Sequence, residues 1–188
     1  LLRDKGWFDS RGIAAPNLAE YLDLVALGTV ADVVPLDTNN RILTWQGLSR
    51  IRAGKCRPGI KALLEIANRD PLKLAASDLG FALGPRLNAA GRLDDMSVGV
   101  ALLLCDNLGE ARVLANELDA LNQTRKEIEQ GMQAEALTLC EKLERSGDML
   151  PGGLAMYHPE WHQGVVGILA SRIKERLHRP VIAFAPAG

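Results

Sequence analysis

Residues 158–167 read His-Pro-Glu-Trp-His-Gln-Gly-Val-Val-Gly, a polar loop that leads through two glycines into the start of a helix. Gly164 and Gly167 carry no Cβ, so the backbone there can come close to a ligand. A helix that begins at this point directs its free N–H groups and the positive end of its dipole toward the loop. Because His162 and Arg172 add side-chain donors nearby, the stretch predicts a site for a phosphate or carboxylate group.

The residues around this stretch predict a strand–helix–strand unit. Residues 154–157 are apolar and typical of a strand, 165–177 of an amphipathic helix and 180–185 of a second strand. Such a unit is typical of the beginning of an α/β domain. Turn residues at 146–148 and 151–153 mark a boundary in front of it.

The longest predicted element is a helix over residues 108–145, which contains no proline and one interior glycine. At about 1.5 Å per residue, such a helix is roughly 50 Å long and exceeds the diameter of a small domain. It is therefore predicted to bridge two lobes, although an ordinary coiled-coil or bundle helix has the same pattern. The apolar seam follows three- and four-residue steps, with Arg125 and Glu135 beside Leu114, Leu118, Leu121, Ile128, Met132, Leu139 and Leu143.

The first half of the chain is dominated by predicted helices. Apolar periodicity and the positions of Gly, Pro and Asp place them over residues 16–27, 38–53, 58–68 and 97–105. Gly28 is expected to end the first of these helices, and the last is expected to be buried. Ser77 or Asp78 is expected to cap a short helix in front of Gly84-Pro85.

Composition indicates a globular protein without a strong overall field. The 188 residues carry a formal net charge of −1, which excludes a global attraction for nucleic acid. Basic residues nevertheless cluster at 41–69 and at 172–179. Each cluster is either an anion-binding patch or a solvated helix face.

The sequence predicts neither a membrane span nor a secretory leader. It has no run of about 18 uncharged apolar residues, and its first residues lack the layout of a signal peptide. Cys56, Cys105 and Cys140 are far apart and lack metal-ligand spacing, which is typical of reduced cysteines in a cytoplasmic protein. Because the chain starts at Leu1 and stops after an apolar run, we expect a segment of a longer protein.

An acid lies inside the apolar run of residues 28–36, Gly-Thr-Val-Ala-Asp-Val-Val-Pro-Leu. Burying Asp32 there is costly unless its carboxylate is paired or bound to a metal ion. At such a turn the same carboxylate is alternatively a helix cap or a hub for hydrogen bonds. Both interpretations stay open from the spacing alone.

Residues 84–95, Gly-Pro-Arg-Leu-Asn-Ala-Ala-Gly-Arg-Leu-Asp-Asp, set donors among small residues. The small residues allow a ligand to approach. The guanidinium groups of Arg86 and Arg92, together with the Asn88 amide, match phosphate oxygens. The two aspartates either hold the arginines or complete a metal shell, and a surface loop with ion pairs accounts for the same pattern.

His158 and His162 are four residues apart, a spacing that zinc ligands use. Pro159 and the glycines argue against both rings lying on one helix face, and no third ligand has metal spacing. Phosphate or carboxylate capture by His162, the backbone of 164–167 and Arg172 is more coherent.

Four segments, taken in order, resemble the RecJ family, the single-strand-specific DNA exonucleases of the DHH phosphoesterase superfamily. They are residues 26–36, 83–93, 121–125 and 158–173, and the resemblance covers nearly the whole chain. It implies an α/β, two-lobed enzyme. Residues 1–106 would form the helix-rich C-terminal part of the DHH phosphoesterase domain, 107–147 the long connecting helix and 148–188 the beginning of the DHH-associated domain.

The resemblance implies a two-metal site, with Mn²⁺ or Mg²⁺, that hydrolyses single-stranded DNA from its 5′ end in repair and recombination. The cleft between the lobes would be too narrow for a duplex. Asp32 matches the last aspartate ligand of the metal site. Phosphate or strand binding at the cleft is implied for Arg86, Asn88 and Arg92 and, from the second lobe, for His162, Gly164 and Arg172.

The chain departs from the family pattern in its metal ligands. It contains no Asp-x-Asp and no His-His, and one aspartate does not hold two divalent cations that each take about six ligands. We therefore expect the upstream metal-binding motifs and the end of the DHH-associated domain to lie outside this chain, which alone would be inactive. Expected partners are single-stranded DNA and a single-strand-binding protein or a helicase, without a membrane.

Three other functions fit parts of the pattern. One is a DHH-type phosphodiesterase acting on short oligonucleotides or cyclic dinucleotides. Another is a non-catalytic nucleic-acid-binding relative, against which the joint presence of Asp32, Arg86, Arg92 and His162 argues. The third is a helical interaction domain built around residues 108–145.

Overall fold

The computed structural model describes residues 2–145 and 151–187. The chain divides into two compact units. The first comprises residues up to Gly84 with Cys105–Ala111, and the second comprises Pro85–Leu104 and the residues from Arg112 onward. Helices dominate, and a small two-stranded sheet accompanies them, so the predicted helix-rich α/β fold is confirmed. The domain boundaries at 106 and 147 stay predictions.

Most predicted elements occur within two residues of their predicted ends. The exceptions are the first helix and the region around Gly84-Pro85. The predicted turn at 146–148 lies outside the described residues. The strands are β1 (Leu154–Tyr157) and β2 (Val181–Phe184), and the helices are α1 (Leu22–Ala31), α2 (Thr38–Arg52), α3 (Pro58–Ile66), α4 (Ala76–Asp78), α5 (Gly84–Leu93), α6 (Ser97–Leu104), α7 (Leu108–Arg145) and α8 (Val166–Leu177).

The first unit is built on the crossing of α1 and α2. An added Cβ at Gly47 would stand 2.1 Å from the carbonyl oxygen of Leu22 and 2.5 Å from the Cβ of Ala26. The two helices therefore approach so closely that only glycine fits at the crossing. The buried apolar side chains of this unit include Ala26, Leu27, Leu48, Ile51, Ile60, Leu63, Leu64, Leu74, Leu79 and Leu83.

The first helix differs from its prediction at both ends. Leu18–Tyr21 forms a 3-10 turn capped by Asn17, and α1 follows it and continues through Gly28. An interior glycine costs a helix only about 1 kcal/mol, so packing against α2 outweighs the predicted stop. The chain turns after Asp32 instead, where Val33 takes a left-handed φ of 54°.

The predicted stop at Gly84-Pro85 is also wrong, because the chain stays helical through both residues. Asp78 caps the start of this helical stretch by accepting the Ala75 N–H at 2.8 Å. A π-helical turn over Leu79–Leu83 then leads directly into α5. In a regular α-helix the ring of Pro85 would clash with the carbonyl four residues earlier, and the wider turn avoids that clash.

The second unit places α7 and α8 around the sheet. β1 and β2 pair in parallel, with Leu154 opposite Val181 and Tyr157 opposite Phe184, and α8 forms the crossover between them. Their shared core consists of Met132, Ala136, Cys140, Leu154, Met156, Trp161, Val165, Leu169 and Ile173.

The apolar helix α6 is less buried than predicted. Gly99 and Leu102 are buried, whereas the side chains of Val100 and Leu104 are 52% and 68% exposed. The sequence of α6 is apolar all round, but only one of its faces finds a partner. No helix in the described ranges combines the length and the hydropathy that crossing a membrane requires.

Candidate functional site

The segment 158–167 lies against the C-terminal end of α5. An added Cβ at Gly164 would stand 2.0 Å from the carbonyl oxygen of Arg92 and 3.0 Å from its carbonyl carbon. In the opposite direction, Nη1 of Arg92 donates to the carbonyl oxygen of Gly164 at 3.1 Å. The sequence predicted that a ligand approaches the backbone at Gly164, whereas the group that lies there is the main chain of Arg92.

His162 is held within the same segment. Its Nδ1 accepts the N–H of Gly164 at 3.1 Å, and its carbonyl oxygen accepts the N–H groups of Val165 and Val166 at 3.0 and 3.2 Å. Because Nδ1 accepts, the neutral ring carries its hydrogen on Nε2. The half-buried ring thus keeps one oriented donor, as the proposed capture of an anion requires.

The first turn of α8 has room for a ligand at Gly167, whereas the backbone of Arg92 fills the space at Gly164. Gly167 is exposed, and an added Cβ there would meet no atom within 4 Å. Val165, the N-cap residue, makes no side-chain hydrogen bond to the helix. The N–H groups of Val166 and Ile168 donate to the carbonyl oxygens of His162 and Val165, so a ligand at the start of α8 would face the N–H of Gly167 between them.

Arg172 contacts α7 through the carboxylate of Glu129, a residue that the sequence did not predict for the site. Nε of Arg172 lies 3.4 Å from Oε1 of Glu129, while Nη1 of Arg125 lies 2.5 Å from Oε2 of the same residue. Nη2 of Arg125 donates to Oδ1 of Asn122 at 2.9 Å. The sequence does contain a signal of this network, because polar residues interrupt the apolar seam of α7 at positions 122, 125 and 129. The predicted seam residue Glu135 is instead 48% exposed.

Trp161, which is 3% exposed, links the segment 158–167 to α7. Its Nε1 donates to Oε2 of Glu135 at 2.9 Å, and Nδ1 of His158 lies 3.8 Å from the same oxygen. No group of three or more potential metal-ligating side chains occurs among the described residues. The two histidines therefore belong to separate local networks.

Arg86, Asn88 and Arg92 lie on the helix α5, not on a surface loop. Nε of Arg86 donates to Oδ1 of Asp119 at 2.7 Å, and the Arg86 side chain is only 16% exposed. Asn88 is half-buried and Arg92 exposed. The ion-pair interpretation therefore fits Arg86, whereas Arg92 presents its side chain at the surface beside Gly164.

The two aspartates after α5 have different roles. Asp95 accepts the N–H of Ser97 at 2.9 Å and its hydroxyl at 2.7 Å, which caps α6. These two hydrogen bonds, the backbone one first, lower the pKa of Asp95. The N–H of Asp94 donates to the carbonyl oxygen of Ala90 at 2.8 Å and continues the turn of α5.

Asp32 is exposed at the end of α1, so the expectation of a buried acid is wrong. The apolar residues beside it are exposed as well, with Val33 at 86%. They line an open groove of about 520 Å³ together with Phe81, which is 85% exposed. Asp32 thus offers one solvent-accessible carboxylate next to an apolar surface of the first unit.

The basic cluster at 41–69 is more than a solvated helix face. Nε of Arg52 donates to the carbonyl oxygen of Leu74 at 2.9 Å. Arg57 stacks 5.0 Å from the ring centre of Tyr21 and lies 3.6 Å from the carboxylate of the buried Asp23. Arg52 and Arg57 therefore stabilise the first unit.

Comparison with known proteins gives consistent similarities over the whole chain, although no family model matches. The single-stranded-DNA-specific exonucleases RecJ of Salmonella typhimurium and Escherichia coli are each 92% identical over 187 residues. RecJ of Thermus thermophilus is 37% identical over 179 residues, or 95% of this chain. The chain spans about a third of the length of its enterobacterial relatives, 32% in each case.

Solved structures show the same similarity in three dimensions. RecJ from Thermus thermophilus in complex with Mg²⁺ matches with a TM-score of 0.78 at 37% identity, over 95% of this chain and 27% of that one. An exonuclease RecJ bound to manganese matches with a TM-score of 0.76 at 38% identity, over 95% of this chain and 43% of that one.

Proposed function

We propose that this chain, which belongs to the RecJ family, is the part of a single-stranded-DNA-specific 5′-to-3′ exonuclease that supplies one metal ligand and a grip on the strand. The observation that carries the proposal is the contact between the backbones of Arg92 and Gly164. It brings an exposed guanidinium, the His162 ring and the exposed Gly167 at the start of α8 to one segment, which suits a phosphate group.

The strand is held by its phosphates in this proposal. The donors to phosphate oxygens are Arg92, His162 and Arg172. Gly164 allows the loop that carries His162 to pack closely against α5. Phosphate contacts of this kind fix the position of a strand without reading its sequence. Arg86 and Asn88 contribute from α5, with Arg86 oriented by Asp119.

Asp32 fits one position in a divalent metal site, because its carboxylate is exposed and Mg²⁺ and Mn²⁺ prefer oxygen ligands. The described residues hold no group of three potential ligands, so the remaining ligands would come from elsewhere in the protein. Two such metal ions, when bound, activate a water and stabilise the leaving oxygen. The segment alone is therefore expected to bind a strand without cleaving it.

The cellular setting follows from the proposed activity. Degradation of a single strand from its 5′ end serves DNA repair and recombination in the cytoplasm. A helicase that opens a duplex, or a protein that coats single strands, is the kind of partner that would supply such a substrate. Residues 1–106, 107–147 and 148–188 would be the end of the DHH phosphoesterase domain, the connecting helix and the beginning of the DHH-associated domain.

The test uses the full-length protein with Mn²⁺ and a 5′-phosphorylated, end-labelled single strand. Asp32→Asn removes the charged ligand and is expected to lower the cleavage rate by about a thousandfold or more while the affinity for the strand stays within about twofold. Asp94→Asn, at an exposed aspartate outside the proposed metal site, is the matched control. Undiminished cleavage by Asp32→Asn, or equal loss in both variants, would refute the assignment of Asp32.

A further inference from the structure

A chain of buried polar groups on α7 ends at the proposed strand grip. Asn122, Arg125 and Glu129 lie three and four residues apart, between the buried Leu118 and Met132 of the same seam. Asn122 is 1% exposed and Glu129 is 9% exposed. The three groups are joined by hydrogen bonds, so the interruption of the apolar seam is a connected network.

Stability alone does not account for this network. Taking a guanidinium and a carboxylate out of water costs about as much as their attraction returns. Well-packed apolar residues in place of a buried ion pair often leave a protein equally stable or more stable. A polar stretch in an otherwise apolar seam is therefore expected where it orients a group that the protein uses.

Glu129 has two partners of very different exposure. The Arg125 side chain is 13% exposed, whereas the Arg172 side chain is 54% exposed and reaches the surface. Nε of Arg172 faces Glu129 at 3.4 Å, and its Nη1 lies 3.7 Å from Glu175. The contact with Glu129 holds the guanidinium beside the buried network, while the exposed part of the Arg172 side chain can meet a further oxygen atom.

The geometry points to Glu129 as a positioning residue. It fixes the Arg172 guanidinium so that the group meets a phosphate of the bound strand without first losing its rotational freedom. Arg125 and Asn122 hold Glu129 in turn. The inference rests on the proposed function, because it needs Arg172 to contact the strand.

The experiment measures equilibrium binding of a labelled 5′-phosphorylated single strand to the full-length protein in the Asp32→Asn background. Glu129→Gln keeps a hydrogen-bond acceptor but removes the charge. Glu175→Gln is the matched control, because it removes the other carboxylate next to Arg172 from an exposed position. The decisive variant is Arg125→Met with Glu129→Leu, which replaces the buried ion pair by apolar side chains.

Arg172→Ala is expected to weaken strand binding by about tenfold and to lower the salt dependence by about one phosphate contact. Glu129→Gln is expected to weaken it by about fivefold, and the double variant Glu129→Gln/Arg172→Ala should bind no more weakly than Arg172→Ala alone. The apolar pair is expected to bind as weakly as Glu129→Gln while it remains folded, with a melting temperature lowered only by the loss of the Arg125 hydrogen bond to Asn122. Glu175→Gln should bind within about twofold of the parent.

Two results would overturn the role of Glu129 even where Arg172 contacts the strand. One is an apolar-pair variant that binds the strand as tightly as the parent, since Arg172 would then need no anchor. The other is additive losses for Glu129→Gln and Arg172→Ala, since the two residues would then act independently. If Arg172→Ala binds the single strand as tightly as the parent, Glu129 has no positioning role either. Cleavage that still depends on Asp32 would then leave the nuclease proposal standing.

Discussion

Replacing Gly164 by alanine tests the contact on which the proposed grip is built. The added Cβ would stand 2.0 Å from the carbonyl oxygen of Arg92, more than 1 Å inside an ordinary carbon–oxygen contact. The neighbouring atoms belong to the backbone, so the loop has to move away from α5. The matched change is Gly167→Ala, where the new Cβ meets no atom within 4 Å and lies inside α8.

The magnitude follows from two losses at Gly164. Forcing an extra methyl group into a packed contact costs about 1–3 kcal/mol. The exposed hydrogen bond from Arg92 adds about 0.5–1.5 kcal/mol when the loop shifts. We expect local stability to fall by about 1.5–4.5 kcal/mol in Gly164→Ala, whereas Gly167→Ala gains up to about 1 kcal/mol because alanine favours a helix.

Hydrogen exchange in the full-length protein measures this difference locally. The amides of Val165 and Val166 donate to the carbonyl of His162 and are protected by the closed loop. A loss of about 2 kcal/mol corresponds to exchange about thirtyfold faster in Gly164→Ala. Equal protection of these amides in Gly164→Ala and Gly167→Ala would refute the argument that Gly164 seats the loop.

Two further changes report on neighbouring parts of the second unit. Trp161→Phe removes the hydrogen bond to Glu135 and leaves space in the core, so we expect a loss of about 1–2 kcal/mol, measured by urea unfolding; an unchanged midpoint would contradict this. The Ser97 hydrogen bonds hold the pKa of Asp95 below its ordinary value of 3.8, so this cap stabilises α6 above pH 3.8 and is lost as the pH falls through the lowered value. The NMR chemical shift of the Ser97 amide should change with pH as Asp95 titrates, and this change should be absent in Asp95→Asn. A pH-dependent Ser97 shift that persists in Asp95→Asn would contradict the cap.

Local patterns were sufficient to predict most of the fold. The helices over 38–52, 58–66 and 108–145 follow from apolar periodicity with clear caps and breaks, and the strand–helix–strand unit follows from short apolar runs between turns. These signals are local in sequence, because the side chains that share a helix face are three or four residues apart.

The errors arose where tertiary packing decides the conformation. Gly28 and Gly84-Pro85 have the composition of helix ends, but the chain remains helical through both because neighbouring helices and a π-helical turn accommodate them. The seam shows Glu129 as a polar interruption, but its role depends on Arg172, which lies 43 residues away in the sequence. The role of Gly164 likewise depends on Arg92, a contact that no local pattern encodes.

The most direct test of the proposed grip is fluorescence anisotropy of a labelled, 5′-phosphorylated single strand with the full-length Asp32→Asn protein at several salt concentrations. The double change Arg92→Ala/His162→Ala is expected to weaken binding by more than about tenfold and to flatten the salt dependence. Arg69→Ala, which removes one charge from an exposed ion pair of the first unit, should change the affinity by less than about twofold. Binding that is indifferent to the double change, or equally reduced by Arg69→Ala, would contradict the assignment of the strand grip to α5 and the segment 158–167.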